Sequence, residues 1–488
     1  MKILLAGYNI DYDVIRTFKA KSKTRQDLTP ETISAAYARI SRSPKPVHEL
    51  REIAREEVDQ ARQSNRNIVF DMGHSSIAEH AVFNIDVVGV SRLLVEEIEK
   101  FRLCSFTEKS QRYVLFKKDF IIPEEIQENG LTDTFVSAVD AQNDFYHSLY
   151  EKLRPYIFEK YPTLADHPAN QSMLEGWAKE DARYVISMAT QTQLGMTINA
   201  RNLELMLRRL AALPLTEARD YSDQLYDATK QITPSLIRYT RATDYDKLTR
   251  KNLRRQCQHL SEEYGTGLPK SSNVQLIYST PDADNQIAAS LLFSSSNIPY
   301  AMCLKMAGNM TPRTKKSFIK TAFANLQPHD AVLREMENVS LQFELILSSS
   351  CFAQIKRHRM ATIITQEYNP ELGVTIPPSI QAIGRQKDFT KIMRMTQKAY
   401  EHIKQKIPEA APYVLTNAHR KRILMKFNAR EMYHLARLRA DAHAQWDIRD
   451  LTEKMLSQAR KAMPLTLMLA CGKNHFPEVF KKAFPGKP

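Results

Sequence analysis

Asn428-Ala-Arg-Glu-Met-Tyr-His-Leu-Ala-Arg-Leu-Arg-Ala-Asp-Ala-His-Ala-Gln-Trp-Asp-Ile-Arg449 reads as one helix. Asn428 is a good N-cap, because its side chain can accept a first-turn amide, and Glu431 three residues on can reach back to the cap as in a capping box. Leu435, Arg439, His443 and Trp446 then fall on one face. An arginine and a histidine between a leucine and a tryptophan are wrong for plain core, since buried cations need anionic partners. The bland reading is a surface helix whose Arg and His reach up to water. The sharper reading is half of a binding site, and it gains weight because a weaker copy of the stretch, Asn199-Ala-Arg201, opens another helix earlier in the chain.

Composition sets the frame. The 488 residues suffice for two or three cores. Thirteen glycines suit long helices better than a loop-rich β protein. The net charge of +14 predicts an anionic partner, a phosphorylated small molecule, a nucleic acid or an acidic surface. The five cysteines are scattered without a Cys-x-x-Cys pair, which argues against a zinc site or redox dithiol and fits a reducing cytoplasm. The N-terminal apolar run is too short for a signal peptide, and no stretch approaches a membrane span. A soluble, cytoplasmic protein without a metal centre is expected.

Along the chain, residues 1–8 read as a strand and 17–65 as helical. Ser75 or Ser76 is placed to cap a short helix. Phe83, Ile85 and Val87 alternate with polar neighbours as in a half-buried strand, and Ser91 opens a helix through Phe101. Helices follow at 133–157, from about Glu175 past Arg183, at 202–213 and at 215–231; residues 240–272 are polar and charged. The second half restarts with a strand at 274–279, another at 340–348, a helix leading into Lys356-Arg-His-Arg359, a long helix at 387–406 and a last one at about 450–461. The halves repeat: Arg102 and Arg359 lie 257 positions apart, Asn199 and Asn428 lie 229 apart, so the second copy is 28 residues shorter between its motifs. A period this long is a duplicated domain rather than a solenoid. The expected domains are 1–265 and 270–488.

The motifs Gly73-His74-Ser-Ser76-Ile-Ala-Glu79-His80, Gly89-Val-Ser-Arg92, Ser105-x-x-Glu108-x-Ser110-Gln111-Arg112-Tyr113, Gln354-x-x-Arg357-His358-Arg359 and the Asn428 helix together resemble the flavin-dependent thymidylate synthases. The resemblance covers roughly 68–235 and 330–460. It implies an α+β fold of two tandem domains of that family, each a small central β-sheet with long flanking helices. It also implies conversion of dUMP to dTMP, with FAD as cofactor and NADPH and methylenetetrahydrofolate as co-substrates. A phosphate, a pyrophosphate and a polyglutamate tail all favour Arg and Lys, and an Arg held against uracil stabilises charge developing on the ring.

Carried over residue by residue, the resemblance assigns Arg439 to catalysis, and Gln354, Arg357, Ser110, Gln111, Arg112, Arg183 and Arg439 to dUMP. It assigns His74, Ser76, Glu108, Arg357, His358, Arg359, Asn428, Arg430, His434 and His443 to FAD. Neither half keeps the whole pattern. The first has Glu97, Lys100, Phe101 and Thr107 at family positions for Gln, Arg, His and Asn, and Leu210 and Pro214 in place of Arg439 and His443, yet keeps Ser110, Arg112 and Arg183. The second has Thr365, Glu367, Asn369 and Pro370 in place of Glu, Ser, Arg and Tyr, and Pro412 opposite Arg183. The losses are complementary, which predicts one composite site per pair of halves and a homodimer standing in for the family's tetramer. The competing readings are a catalytically impaired flavin- or nucleotide-binding pseudoenzyme and a basic nucleic-acid binder. The latter lacks an aromatic platform or a known motif.

Overall fold

The computed structural model describes residues 1–18, 29–40, 43–265 and 272–486. Packing divides the chain into two units. One is Met1–Gly267 with Pro378–Thr416; the other is Leu268–Pro377 with Asn417–Pro488. The expected domain junction at 265–270 lies outside the described residues beyond Gly265.

Each unit holds a four-stranded antiparallel sheet. In unit 1, β1 (Lys2–Tyr8), β2 (Val82–Ser91), β3 (Ser105–Glu108) and β4 (Gln191–Asn199) stand in the order β1-β2-β4-β3. In unit 2, β5 (Val274–Ser279), β6 (Ser340–Ser348), β7 (Thr362–Tyr368) and β8 (Arg420–Asn428) stand in the order β5-β6-β8-β7. Alternation makes these strands: Phe83, Ile85 and Val87 are buried on β2, and Leu341, Phe343 and Leu345 on β6. Phe343 stacks on Phe427 of β8 at 5.9 Å, within a core that includes Leu435, Ile448 and Met455.

The register repeats as well as the order. Val82 lies opposite Asn199, and Ser340 opposite Asn428. Ser105 faces Thr197, and Thr362 faces Lys426. Both edge strands shift register at the same place, between Leu5 and Gly7 and between Leu276 and Tyr278. A bulge conserved between two copies is a built feature of the sheet. After β2, Ser91 caps the helix Arg92–Ile98 and donates its hydroxyl to Glu217 at 2.6 Å. After β6, Ser348 caps Ser349–Ile355 and donates to Asp447 at 2.6 Å.

Several expectations need correction. The Asn428 stretch is two helices, Ala429–Arg439 and Trp446–Ala462, so Arg439, His443 and Trp446 do not share one helical face. Asp441 ends the first helix by accepting the amides of His443 and Asn474, each at 3.0 Å, and Gln445 caps the second. Gly472 packs so close that a Cβ there would meet the Ala440 carbonyl at 2.1 Å. Glu431 does not return to the cap; its carboxylate turns to His358. Ser75–His80 is a 3-10 turn without a side-chain cap, reached through Gly73 at φ +76°. The helix after Ser91 stops at Ile98, and the helix expected past Arg183 ends at Ala182. Asp244–Tyr264 is a helix with no fully buried residue, started by a Thr243–Asp246 capping box. The helix Gln386–Lys406 packs in unit 1 on Thr132–Lys160, where Gln142 donates to Thr396 at 2.8 Å and to the Val414 carbonyl at 2.9 Å.

Candidate functional site

Unit 2 gathers the histidine and arginine motifs. Asn428 accepts the Glu431 amide at 2.9 Å and starts the helix Ala429–Arg439 beside the turn that follows Ser349–Ile355. His358 is buried at that turn, its amide bonded to the Ile355 carbonyl. Its Nδ1 lies 2.9 Å from the Glu431 carboxylate, which is also buried. Its Nε2 lies 3.1 Å from Nε of Arg439, and Nη2 of Arg439 donates to the Gln354 carbonyl at 3.3 Å. A guanidinium only donates, so Nε2 must accept and the imidazole proton sits on Nδ1, facing Glu431. Burial lowers the His358 pKa from 6.5; Glu431 opposes the shift, while Arg439 and His434 add to it. His358 is therefore neutral at pH 7.

His434 stands 5.6 Å from His358, ring to ring, and is exposed. His358, Glu431 and His434 bring potential metal-ligand atoms within 4.8 Å of one another. The proton on Nδ1 occupies the lone pair that a metal between these groups would need. Arg430 pairs with Glu337 at 2.9 Å and bonds the Val332 carbonyl. Arg357 and Arg359 are exposed, as is His443 in the turn after the helix. Gln354 lies 3.5 Å from the Gln445 side chain.

Unit 1 gathers the arginines of the other set. Arg183, opening the 3-10 turn Arg183–Val185, is buried and donates Nε to the Glu180 carbonyl at 3.2 Å. Arg112 pairs with the Glu180 carboxylate, and Ser110 accepts the Arg112 amide at 3.2 Å. Burial lowers the Arg183 pKa; Glu180 opposes it, and Arg92 and Arg112 repel the charge further. Glu108 is held by Arg92 at 3.6 Å and by the Thr192 hydroxyl at 3.4 Å. Gln111 is buried next to Arg112, while His74 and Ser76 are exposed on the 3-10 turn. Glu97 and Lys100, two departures from the family pattern, pair with each other at 2.6 Å. Arg183, repelled by both Arg92 and Arg112, forms with them and the carboxylates of Glu108 and Glu180 a cluster suited to an anion.

Arg92, Glu180 and Glu431 received no site role from the sequence. Comparing the two copies offers the missing signal for two of them, since Arg92 stands opposite Ser349 and Glu431 opposite Asn202, while Glu180 stands opposite Glu409 and carries none. Unlike Arg92 and Glu431, the pair Glu79–Arg201 recurs as Glu337–Arg430 and belongs to the shared scaffold.

The family described as "Thymidylate synthase complementing protein" matches residues 25–235 and 275–465. The chain belongs to this family. It is a tandem duplication, because the family matches it twice and the two sheets repeat strand order and register. The chain is 25% identical over 428 residues to a UPF0159 protein of Chlamydia muridarum, covering 83% of this chain and 80% of the relative. It is 23% identical over 475 residues to a UPF0159 protein of Thermoplasma acidophilum, covering 88% and 93%. A flavin-dependent thymidylate synthase of Clostridium tetani is 30% identical over 215 residues, covering 43% of this chain and 82% of that enzyme. That enzyme therefore matches about one copy's length. Among solved structures, a UMP/dUMP methylase from Streptomyces cacaoi aligns with 41% of this chain and 95% of its own, at 17% identity and TM-score 0.33. Membership implies a flavin and thymidylate-synthase-like chemistry. Among the described residues, no helix is long and apolar enough to cross a membrane.

The donor set of unit 2 fits a flavin dinucleotide. Arg357 and Arg359 stand exposed on one turn, cationic donors of the kind a pyrophosphate requires.

Proposed function

We propose that the chain is a flavin-dependent thymidylate synthase that converts dUMP to dTMP, with methylenetetrahydrofolate as methylene donor and NADPH as reductant. The observation that carries this reading is the Glu431–His358–Arg439 chain, which holds one arginine in a fixed orientation beside the Gln354 turn. Arg439 binds the uracil ring and stabilises the enolate-like negative charge that makes its carbon nucleophilic towards the methylene. Gln354 and Arg357 hold the base and sugar side. Ser110, Gln111, Arg112 and Arg183 take the phosphate, for which the cationic cluster of unit 1 has the right charge. Arg357, His358, Arg359, Asn428, Arg430, His434 and His443 hold FAD, together with His74, Ser76 and Glu108. The flavin held there, once reduced by NADPH, would supply the hydride that turns the transferred methylene into a methyl group.

The two half-sets act on one dUMP in a composite site, and the alternate pairing is inactive. The support is the pattern of loss. The first copy has Phe101 and Leu210 where the second has His358 and Arg439, and the second copy has Asn369 and Pro412 where the first has Arg112 and Arg183. Random decay would break both sets in both copies. A homodimer of the fused chain would then supply the four domains of a pseudo-tetramer.

The test is an absorbance spectrum of the purified full chain followed by complementation of a thymidine-requiring host. A yellow protein that restores growth supports the reading. A yellow protein that forms no dTMP favours a flavin-binding pseudoenzyme, the second reading that Lys100, Phe101 and Thr107 motivate. A colourless protein contradicts both.

A further inference from the structure

We propose that Glu431 is the positioning residue for Arg439, acting through a single tautomer of His358. This inference rests on the reading of Arg439 as the group that meets uracil. Glu431 and Arg439 belong to the same helix, Ala429–Arg439, but stand eight residues apart. Eight residues span about 12 Å of helix axis. Direct pairing on a helix surface reaches only i+3 or i+4, so the two side chains cannot meet without a connecting group. The imidazole of His358 supplies it: Nδ1–H to Glu431 at 2.9 Å on one side, Nε2 from Arg439 Nε at 3.1 Å on the other. The ring is rigid and buried, so fixing its proton fixes the direction of the guanidinium. The carboxylate decides the tautomer, because only a proton on Nδ1 satisfies both it and the guanidinium.

The other copy shows what happens without the device. Phe101, Asn202 and Leu210 stand where His358, Glu431 and Arg439 stand. All three members are absent together. Asn202 folds back on its own cap instead, donating its side-chain amide to Asn199 at 2.8 Å. A residue that served only the helix start would not need to change with the last residue of the helix.

The experiment uses the full chain labelled with 15N in its histidines, compared with Glu431→Gln, Glu431→Asp and a His358→Phe control that assigns the signal. In the wild type, His358 shows a protonated Nδ1 and an unprotonated Nε2 before any nucleotide is added. Glu431→Gln, which can donate as well as accept, mixes the tautomers; it keeps the flavin absorbance per chain but weakens dUMP binding about tenfold, the scale of losing one charge-assisted hydrogen bond. Glu431→Asp, which keeps the anion, restores part of the binding. A wild-type His358 protonated on Nε2, or a Glu431→Gln chain that binds dUMP as tightly as wild type, overturns the positioning role. A wild-type chain that has the expected tautomer but binds no dUMP overturns the functional reading instead, so the two failures are distinct.

Discussion

The helices Ala200–Leu210 and Ala429–Arg439 begin alike and end differently. Each starts on an asparagine whose side chain accepts a first-turn amide, and each carries an Arg paired with a Glu from the preceding turn. At the far end, one finishes on buried Leu210 and the other on Arg439, tied to His358. What the copies share holds the sheet to its helix. Two networks are not shared, the histidine chain of unit 2 and the arginine cluster of unit 1. The arginines of one network and the His358, Glu431 and Arg439 of the other are each present in one copy and replaced in the other, although Glu180 keeps a counterpart in Glu409. That is the pattern expected of groups that work together, because a partial network leaves a buried charge without its partner, which costs more than losing the network entirely.

Exchanging residues between the copies probes this division. Arg439→Leu, which gives unit 2 the residue of unit 1, should lower dTMP formation by about 10²–10³-fold, the usual loss on removing a group that stabilises developing charge; turnover of dUMP measures it. The reverse change, Leu210→Arg, should add no activity and should destabilise unit 1 by on the order of 3 kcal/mol, since Leu210 is buried and Phe101, the residue opposite His358, has no acceptor to offer; urea unfolding reads it.

His358→Phe should cost about 1–3 kcal/mol, because it strands the buried Glu431 carboxylate. It should also change the pH dependence. The folded His358 pKa lies below 6.5, so the unfolded chain binds the proton first, and stability drops as pH falls from 6.5 towards the lowered value. The phenylalanine variant should lose that part of the decline, measured as melting temperature against pH. The smallest effect belongs to the shared scaffold. Arg201→Ala removes an ion pair in which both partners are more than a third exposed, and should shift stability by less than about 1 kcal/mol.

Local signals were legible in the sequence: the asparagine caps, the alternation on β2 and β6, and the repeat itself. The break after Arg439 was not, because it depends on Asp441 accepting the amide of Asn474, far along the chain, and on Gly472 leaving room for the Ala440 carbonyl. Periodicity likewise marks the apolar face of Gln386–Lys406 but not its neighbour, which lies in unit 1. Strand β7 was hidden because Thr362–Tyr368 is a mostly solvent-facing edge strand with little apolar contrast. At the site, the arginines and histidines could be named from the family pattern, while Glu431 looked like an ordinary cap residue. Its partner came from another helix's turn, which no local pattern encodes.

The composite site is tested most directly by titrating dUMP into Arg112→Ala, Arg439→Ala and the double variant of the full chain. Each single change should weaken binding by at least about tenfold, and the double should lose less than the sum of the two free energies, as for residues acting on one ligand. Weakened binding in only one of the single variants, or in neither, would contradict a shared site.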